Sequence, residues 1–410
     1  MIQASPGSGT ALQDSPADSA QGFSNSSNGT PASPRMHGGS SGGARAITDL
    51  LALADIKVNG DRPWDIKVHN PAFFDRFLAQ GTLGLGEAYM DGWWDSDQLD
   101  ETFNKAMSAR LETKLRMSLP LAIDLLKSRL FNRQSKVRSK EVAEIHYNLG
   151  NDFYRDMLDP RMQYTCAYWK DARSLAEAQE NKLDLVCRKL GLKPGMTVLE
   201  LGCGWGGFAR FAAERYGAKV TAYNISTEQV AFGREYNKNL SVDIRLQDYR
   251  EAAGEYDRVV SIGMCEHVGE RNYREFFQVI QRCLKDGGLA LVHTIGGLKS
   301  VRSIEPWLGK YIFPGAMLPS VAQLGRAMEN LLVMEDWHNF GPDYDRTLMA
   351  WWENFDKNWH KHREAYGDRF YRMWVYYLAV CAGSFRARKN QLWQVVVSKG
   401  GVPGGYVAVR

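Results

Sequence analysis

Short apolar runs rich in β-branched residues alternate with longer amphipathic stretches through the second half of the chain. Five of these runs have the length of strands: TVLELG (197–202), KVTAYNI (219–225), DIRLQD (243–248), YDRVVSIGM (256–264) and LALVHTI (289–295). Three stretches of helical length lie between them: GFARFAAERYG, TEQVAFGREYNKNL and YREFFQVIQRCLKDGG. Regular alternation of strand and helix is typical of a parallel sheet covered by helices on both faces. We therefore predict an α/β fold.

Two later runs, LLVMEDWHNFG (331–341) and LWQVVVSKG (392–400), predict two further strands. The segment between them has a helical pattern and is very aromatic, with Trp351, Trp352, Trp359, Trp374, Tyr376 and Tyr377. We assign residues 136–410 to one domain in which this aromatic segment is a helical insert.

The first 135 residues follow a different pattern. Residues 1–45 consist mostly of Ser, Gly, Pro, Ala and Asn. Such a segment buries too little apolar surface to offset its ordering entropy, so we predict a disordered head. Residues 46–135 start with a globular composition, in which ITDLLALADI predicts a helix or core segment. We assign them to a small, mainly helical N-terminal domain followed by a basic amphipathic linker.

The basic segment, residues 104–140, contains ten lysines and arginines but only two acids, Glu112 and Asp124, and leucines are interleaved with the charges. Three interpretations fit this pattern. An interdomain helix with a solvated basic face is the simplest, and a surface that meets an anionic membrane is the second. Nucleic-acid binding is the third, and it is disfavoured because no nucleic-acid motif accompanies the charge.

Composition narrows the class of protein further. The net charge of +4 is mild, so a strongly charged partner must meet a local patch. The six cysteines lack C-x-x-C spacing and a nearby histidine array, which argues against a disulfide framework or a zinc site and favours the cytoplasm. The start MIQASPGSGT lacks the features of a signal peptide, and no run approaches the roughly 18 apolar residues that a spanning helix needs. We expect any membrane contact to be peripheral.

A glycine-rich loop, ELGCGWGG (200–207), follows the first predicted strand directly. It fits the dinucleotide pattern G-x-G-x-x-G and also the acidic-x-G-x-G-x-G loop of S-adenosylmethionine methyltransferases. A nicotinamide site needs an acid at the end of the second strand to hold the ribose, but that strand ends in AYNIS (222–226). The third strand ends in QDY (247–249), where Asp248 can accept a hydrogen bond from an adenine amine. These ends favour S-adenosylmethionine.

The fourth strand carries a second candidate site. SIGMCEHVG (261–269) starts as a buried strand and then presents Glu266 and His267 where the apolar pattern stops. Ligands bind at the carboxyl ends of strands in such sheets, so we expect this pair at a functional site.

Seven motifs, taken in order, resemble the cyclopropane-fatty-acyl-phospholipid synthases and, less closely, the mycolic acid cyclopropane synthases. The motifs are EIHYNLGNDFYRDMLDPRMQYTCAYW (144–169), VLELGCGWGGFARF (198–211), SIGMCEHVG (261–269), LVHTIGG (291–297), YIFPGAMLPS (311–320), EDWHNFGPDYDRTLMAWW (335–352) and CAGSFR (381–386). The resemblance covers residues 46–410. It implies a mostly parallel, Rossmann-like methyltransferase sheet with a small helical N-terminal domain.

The resemblance also implies a reaction. The methyl carbon of S-adenosylmethionine passes to a cis double bond of a phospholipid-bound acyl chain, and a bound bicarbonate deprotonates the resulting carbocation to close a cyclopropane ring. The positions that match the family's catalytic groups are Cys166, Glu266, His293, the backbone at Ile295, and Tyr344.

These positions suit different roles. His293 and Tyr344 can donate hydrogen bonds to a bicarbonate oxygen, and Glu266 can accept the bicarbonate hydroxyl. We expect His267 to be structural and to bond a backbone group. Cys381 matches a position that is sometimes assigned to catalysis, but the reaction needs no covalent step, so we favour a structural role.

The cofactor positions implied by the resemblance are Tyr164, Thr165, Gly202, Gly204, Asn224, Ser226, Gln229, Asp248 and Tyr249. A lipid substrate shifts the interpretation of residues 104–140 toward an anionic bilayer surface, on the inner face of the membrane. Family members are often dimers, so the resemblance also carries the expectation of a homodimer. Two alternatives stay open: an N- or C-methyltransferase acting on another substrate, and a non-enzymatic lipid-binding protein.

Overall fold

The structure, a computed structural model, describes residues 41–113 and 149–410. Most of the predicted disordered head and most of the basic segment therefore lie outside the described residues. The prediction of disorder is wrong for residues 41–45, because helix α1 (Ser41–Ala52) begins there. Ile47 and Leu51, one helical turn apart, are both buried and hold this helix against the rest of the domain.

The N-terminal residues fold mainly into helices, as predicted. After α1 come β1 (Lys67–Val68), α2 (Ala72–Gln80), α3 (Thr82–Met90), β2 (Trp94–Asp95) and α4 (Leu99–Ser108). The two short strands pair with each other in antiparallel orientation. Phe73, Phe77 and Trp94 are buried between these elements and provide the local core.

A seven-stranded sheet forms the centre of the second part of the chain. Its strands are β3 (Thr197–Leu201), β4 (Lys219–Asn224), β5 (Val242–Leu246), β6 (Tyr256–Ile262), β7 (Leu284–Gly297), β8 (Val333–Asn339) and β9 (Asn390–Ser398). The order across the sheet is β5-β4-β3-β6-β7-β9-β8. Neighbouring strands from β5 to β7 are parallel, and β9 is antiparallel to both β7 and β8. All seven predicted strands are confirmed.

Ten helices complete the described part of this region. They are α5 (Asn151–Met157), α6 (Leu175–Lys189), α7 (Gly207–Tyr216), α8 (Thr227–Asn237), α9 (Cys265–Val268), α10 (Tyr273–Cys283), α11 (Pro306–Tyr311), α12 (Val321–Met328), α13 (Pro342–Asn358) and α14 (Arg363–Arg386). The predicted helix at 273–288 is too long at its end. Leu284 already pairs with Tyr256 in the sheet, and Gly287 has a positive φ of 70° that a helix does not accept.

Helices α13 and α14 form the predicted aromatic insert between β8 and β9. Trp351 and Trp374 are fully buried in it, and α14 bends at Gly367, where φ is 73°. Helix α14 packs closely on α4, since a Cβ on Gly383 would lie 2.7 Å from the carbonyl oxygen of Asp100. The insert thus joins the N-terminal helices to the sheet.

Apolar residues cover both faces of the sheet. The edge formed by the carboxyl ends of the parallel strands is therefore where a ligand can reach the sheet. Phe276 and Ile280 of α10 pack on one face, and Leu183 and Phe208 pack on the other. All six cysteines are free thiols. Within residues 41–113 and 149–410, no helix is both long and apolar enough to cross a bilayer.

Candidate active site

Two adjoining cavities open at the carboxyl edge of the sheet. The first, of about 170 Å³, lies over the ends of β3, β4 and β6, and the second, of about 880 Å³, extends from the ends of β6 and β7 toward α4 and α14. Both cavities are lined by Tyr164, Thr165, Gly263 and His267. A molecule bound in one cavity therefore lies next to a molecule bound in the other.

The glycine loop forms the floor of the first cavity. Gly202 has a φ of 78°, and a Cβ built on it would lie 2.8 Å from the sulfur of Met264. Gly204 has a φ of 53°, and a Cβ there would meet nothing within 4 Å, because its open side faces the cavity. The backbone turn and the approach of a ligand both require glycine here.

Asn224 links the end of β4 to this loop. Its Nδ2 donates to the carbonyl oxygen of Gly204 and to Oε1 of Gln229, both at 2.9 Å, and its Oδ1 accepts from the Ser226 backbone N–H. Asn224 and Gln229 line the cavity, whereas Ser226 does not. The Ser226 hydroxyl instead caps α8 by accepting from the Gln229 N–H, so it supports this cavity residue from behind.

Three polar atoms in the wall of the first cavity are buried without a hydrogen-bond partner among the described residues: Oε2 of Glu200, Nε2 of Gln229 and the hydroxyl oxygen of Tyr249. Burial raises the pKa of Glu200 to about 8. A carboxyl and an amide donor that lack partners in the protein are suited to a polar ligand with both donors and acceptors.

Asp248, just after the end of β5, is the residue that we predict to accept a hydrogen bond from an adenine amine. Both oxygens of Asp248 accept from Arg250, one from its backbone N–H and one from Nη1, each at 2.9 Å. The carboxylate is thereby fixed in orientation while each oxygen keeps a lone pair for a ligand. Tyr164, Thr165 and Tyr249 complete the predicted residues of the first cavity.

Glu266 lies at the inner end of the second cavity, on the short helix α9 that follows β6. Its Oε1 accepts from the backbone N–H of Ile295 at 2.7 Å, and its Oε2 is buried without a partner. The side chain is 7% exposed, and burial raises its pKa to about 7. Glu266 therefore changes protonation near neutral pH and has one oxygen available to a ligand.

His293 faces the same cavity from β7. Gln394 donates to its Nδ1 at 3.3 Å, which places the ring proton on Nε2. That Nε2 is buried without a partner, and burial holds the pKa of His293 well below its ordinary value, so the ring is neutral. His293 thus presents one N–H donor to the cavity.

Tyr344 of α13 adds a hydroxyl to this polar end. Burial raises its pKa well above the ordinary value, so the phenol keeps its proton. Tyr377 of α14, which the sequence reasoning did not select, also lines the cavity and accepts a hydrogen bond from Tyr164 at 2.9 Å. The sequence feature that could have indicated Tyr377 as a site residue was its place in the aromatic insert.

The two candidate cysteines differ in position. Cys381 lines the second cavity, and burial raises its pKa to about 12, so it is a neutral thiol and not an activated nucleophile. Cys166 lines neither cavity, and its thiol donates to the carbonyl oxygen of Ala167 at 3.2 Å. The structure thus places Cys166 behind the wall rather than in it.

The prediction that His267 bonds a backbone group is wrong. Its ring makes no hydrogen bond to any described residue, and burial lowers its pKa to about 4. The ring packs near Phe313 and forms part of the wall between the two cavities. The adjacent Glu266 and His267 in the sequence do not by themselves show whether the histidine lines a cavity or holds the backbone in place.

Helix α6 contains two site-supporting residues that were missed. Gln179 donates to the carbonyl oxygen of Thr165 at 2.8 Å, and the buried Lys182 donates to Oγ1 of Thr165 at 2.9 Å and to Oε1 of Gln163. Gln179 and Lys182 are polar residues three positions apart on the buried side of a helix, and this spacing could have indicated their role from the sequence. They hold the segment that separates the cavities.

No group of residues able to hold a metal ion occurs in the described part of the chain. A family model described as mycolic acid cyclopropane synthetase matches residues 134–395. The chain is 52% identical to the cyclopropane-fatty-acyl-phospholipid synthase of Escherichia coli K12 over 87% of its own length and 93% of that protein.

Two solved structures are also similar to this chain. The mycolic acid cyclopropane synthase CmaA1, determined in complex with SAH and CTAB, is 31% identical, with a TM-score of 0.60 over 63% of this chain and 98% of that one. A coclaurine N-methyltransferase bound to N-methylheliamine and SAH aligns over 78% of this chain and 99% of its own, with a TM-score of 0.66. Its 19% identity shows a shared fold alone.

Proposed function

The chain belongs to the cyclopropane synthase family of S-adenosylmethionine-dependent methyltransferases, and on that premise we propose that it converts cis double bonds of phospholipid acyl chains into cyclopropane rings. The observation that carries this proposal is the pair of adjoining cavities that share one wall. The smaller suits a nucleoside cofactor, and the larger suits an acyl chain. Contact across the wall brings the two reactants together.

S-adenosylmethionine would supply the electrophilic methyl carbon. Residues of this chain fit the cofactor: the glycine loop leaves room for close approach, and Glu200 and Gln229 have unused polar atoms in the same cavity. Asn224 holds the loop carbonyl at Gly204 in place. Asp248 is oriented by Arg250 to accept from an adenine amine.

The acyl chain needs positioning and protection from water. An alkene is a weak nucleophile, so its carbon must be held in line with the methyl group. Tyr164, whose hydroxyl donates to Tyr377, lies in the wall between the cavities and limits where the chain can sit. A dry cavity also prevents water from trapping the carbocation on the lipid.

Bicarbonate would supply the base that removes a proton from the added methyl group. The second cavity fits such an anion, because an N–H of His293 and the O–H of Tyr344 are donors. Glu266 Oε2, which lacks a partner, can accept from the hydroxyl of the anion. These three groups together hold a small anion that keeps one acidic hydrogen.

A phospholipid substrate lies in a membrane, so the enzyme must bind to the membrane surface. We propose that the enzyme acts as a peripheral protein on the inner face of the membrane, attracted by anionic lipids. The support is the positive charge of residues 104–140, of which 114–140 lie outside the described residues. The homodimer implied by family resemblance belongs to the same proposal.

The test is an incubation of the protein with unilamellar vesicles of cis-unsaturated phospholipid and S-adenosylmethionine. The fatty acids are then released and analysed by mass spectrometry before and after catalytic hydrogenation. A gain of one CH₂ in a product that resists hydrogenation supports the proposal. An unchanged lipid pool refutes it, and a product that takes up hydrogen identifies an unsaturated branched chain instead.

A further inference from the structure

Four cations line the second cavity: Arg110, Lys299, Arg388 and Lys389. Arg110, Lys299 and Arg388 are exposed, and none of these three makes an ion pair with a residue that the structure describes. They come from three separate elements, after α4, after β7 and after α14. Positive charge thus collects around the mouth of a cavity whose inner end is largely neutral.

Lys299 and Arg388 leave the sheet at the same corner. The last paired residues of β7 and β9 are Gly297 and Asn390, and these strands are antiparallel. Lys299 follows Gly297 by two residues, and Arg388 precedes Asn390 by two residues. The two cations therefore flank one point of the rim, which we call the rim pair.

The backbone at Arg388 gives an independent reason to look for a function. Arg388 follows the end of α14 and has a φ of 58°, a left-handed conformation that glycine adopts at no steric cost and that helix ends usually assign to glycine. Arg110 occupies the equivalent position after α4, with a φ of 54°. Residues held in this region without being glycine cluster at ligand sites.

The surroundings of the rim pair fit one kind of ligand. Leu298, beside Lys299, is 65% exposed, and Val301 is 40% exposed, so apolar surface adjoins the charge. Glu305 is the nearest acid of the cavity wall along the chain, but its carboxylate accepts from the backbone N–H groups of Trp307 and Leu308. Cations next to exposed apolar side chains match the boundary between lipid phosphates and acyl chains.

We propose that Lys299 and Arg388 bind the phosphodiester of the phospholipid whose acyl chain enters the second cavity. The inference rests on the proposed function, because it takes that cavity as the acyl site. A guanidinium offers two parallel N–H donors to phosphate oxygens, and the ammonium adds a point charge. The headgroup phosphate then fixes how far the chain reaches toward Glu266.

The experiment measures binding by calorimetry and does not depend on turnover. The full-length protein is titrated with monomeric dihexanoyl phosphatidylcholine and, separately, with dihexanoylglycerol, which lacks the phosphate. The variants are Arg388→Gly, which relieves the left-handed backbone and so preserves folding, Arg388→Lys, which keeps the charge, and Lys299→Ala. Lys193→Ala removes an exposed cation before β3, at the opposite edge of the sheet, and is the matched control.

We expect Arg388→Gly and Lys299→Ala each to weaken phosphatidylcholine binding about fivefold. Arg388→Lys, which keeps the charge but loses the paired donors, should weaken it less than Arg388→Gly, and Lys193→Ala should bind like the wild type. Dihexanoylglycerol binding should be the same in all of them. Equal losses for both lipids, unchanged phosphatidylcholine binding, or no phosphatidylcholine binding by the wild type would each overturn the inference. Turnover on vesicles is assayed in parallel: absence of a ring product in a protein that shows the phosphate dependence refutes the proposed function alone.

Discussion

Replacement of Glu266 by glutamine should separate activity from stability. Oε1 of Glu266 accepts from the Ile295 N–H at 2.7 Å, a bond that the amide oxygen of glutamine can keep. The partnerless Oε2 becomes an NH₂ group, which donates instead of accepting. The substitution keeps the shape of the site and reverses the polarity of the atom that faces the proposed anion.

The expected loss of activity follows from one hydrogen bond to a charged group, which contributes about 1.5–3 kcal/mol. Because each 1.4 kcal/mol is about a factor of ten, Glu266→Gln should lower kcat roughly 10- to 100-fold at pH 8. The KM for S-adenosylmethionine should change less than about twofold, since Glu266 does not line the first cavity. In the wild type, the activity that depends on the Glu266 carboxylate should decline as pH falls through about 7.

Although Glu266→Gln should lower activity, its stability relative to the wild type should increase as the pH rises. Burial raises the pKa of Glu266 from 4.5 to about 7, so between these values the folded protein holds a proton that the unfolded chain releases. Wild-type stability relative to Glu266→Gln therefore falls as pH rises from about 4.5 to 7 and is constant above that. At about 1.4 kcal/mol per pKa unit, the relative loss is on the order of 3 kcal/mol.

The assay combines steady-state kinetics with urea unfolding of both proteins at several pH values, the latter without cofactor or bicarbonate. A glutamine variant whose KM for S-adenosylmethionine rises as steeply as its kcat falls would contradict the placement of Glu266 at the acyl end. A stability difference that does not depend on pH would contradict its burial as an acid.

Three other substitutions probe the same site. Tyr344→Phe removes one donor and should lower kcat about tenfold while equilibrium binding of S-adenosylmethionine is retained; weakened cofactor binding would be inconsistent with its position. Gly202→Ala should abolish that binding, because the new Cβ would lie 2.8 Å from the Met264 sulfur; calorimetry that shows normal affinity would refute the steric argument. Cys381→Ala should retain most activity, since its thiol has a pKa near 12, and a complete loss of turnover in a folded variant would assign Cys381 a direct role.

The sheet was predictable because each strand is a local apolar run that ends at a glycine or a polar residue. The run 289–295 was recognisable in this way, whereas the start of β7 at Leu284 was not. That start depends on pairing with Tyr256, a distant residue. The first turn of α1, residues 41–45, was missed because its Ser, Gly and Ala composition matches that of the head, whereas its helix is held by the packing of Ile47 and Leu51 farther along.

The candidate site was predictable to the extent that its residues follow strand ends. Glu266, His293 and Asn224 all line the cavities for this reason. Ser226 and Cys166 neighbour wall residues in sequence, but the Ser226 hydroxyl bonds the Gln229 N–H and the Cys166 thiol bonds the Ala167 carbonyl oxygen, so neither lines a cavity. Contacts between distant segments, such as those of Lys182 with Thr165, leave only a weak local pattern.

The most direct test of the central claim uses S-adenosylmethionine with a fully deuterated methyl group and vesicles of a cis-unsaturated phospholipid. Ring closure removes one hydrogen from the transferred methyl group. The account predicts a hydrogenation-resistant acyl chain that retains two of the three deuterium atoms. A chain that retains all three would show methyl transfer without ring closure and would contradict the account.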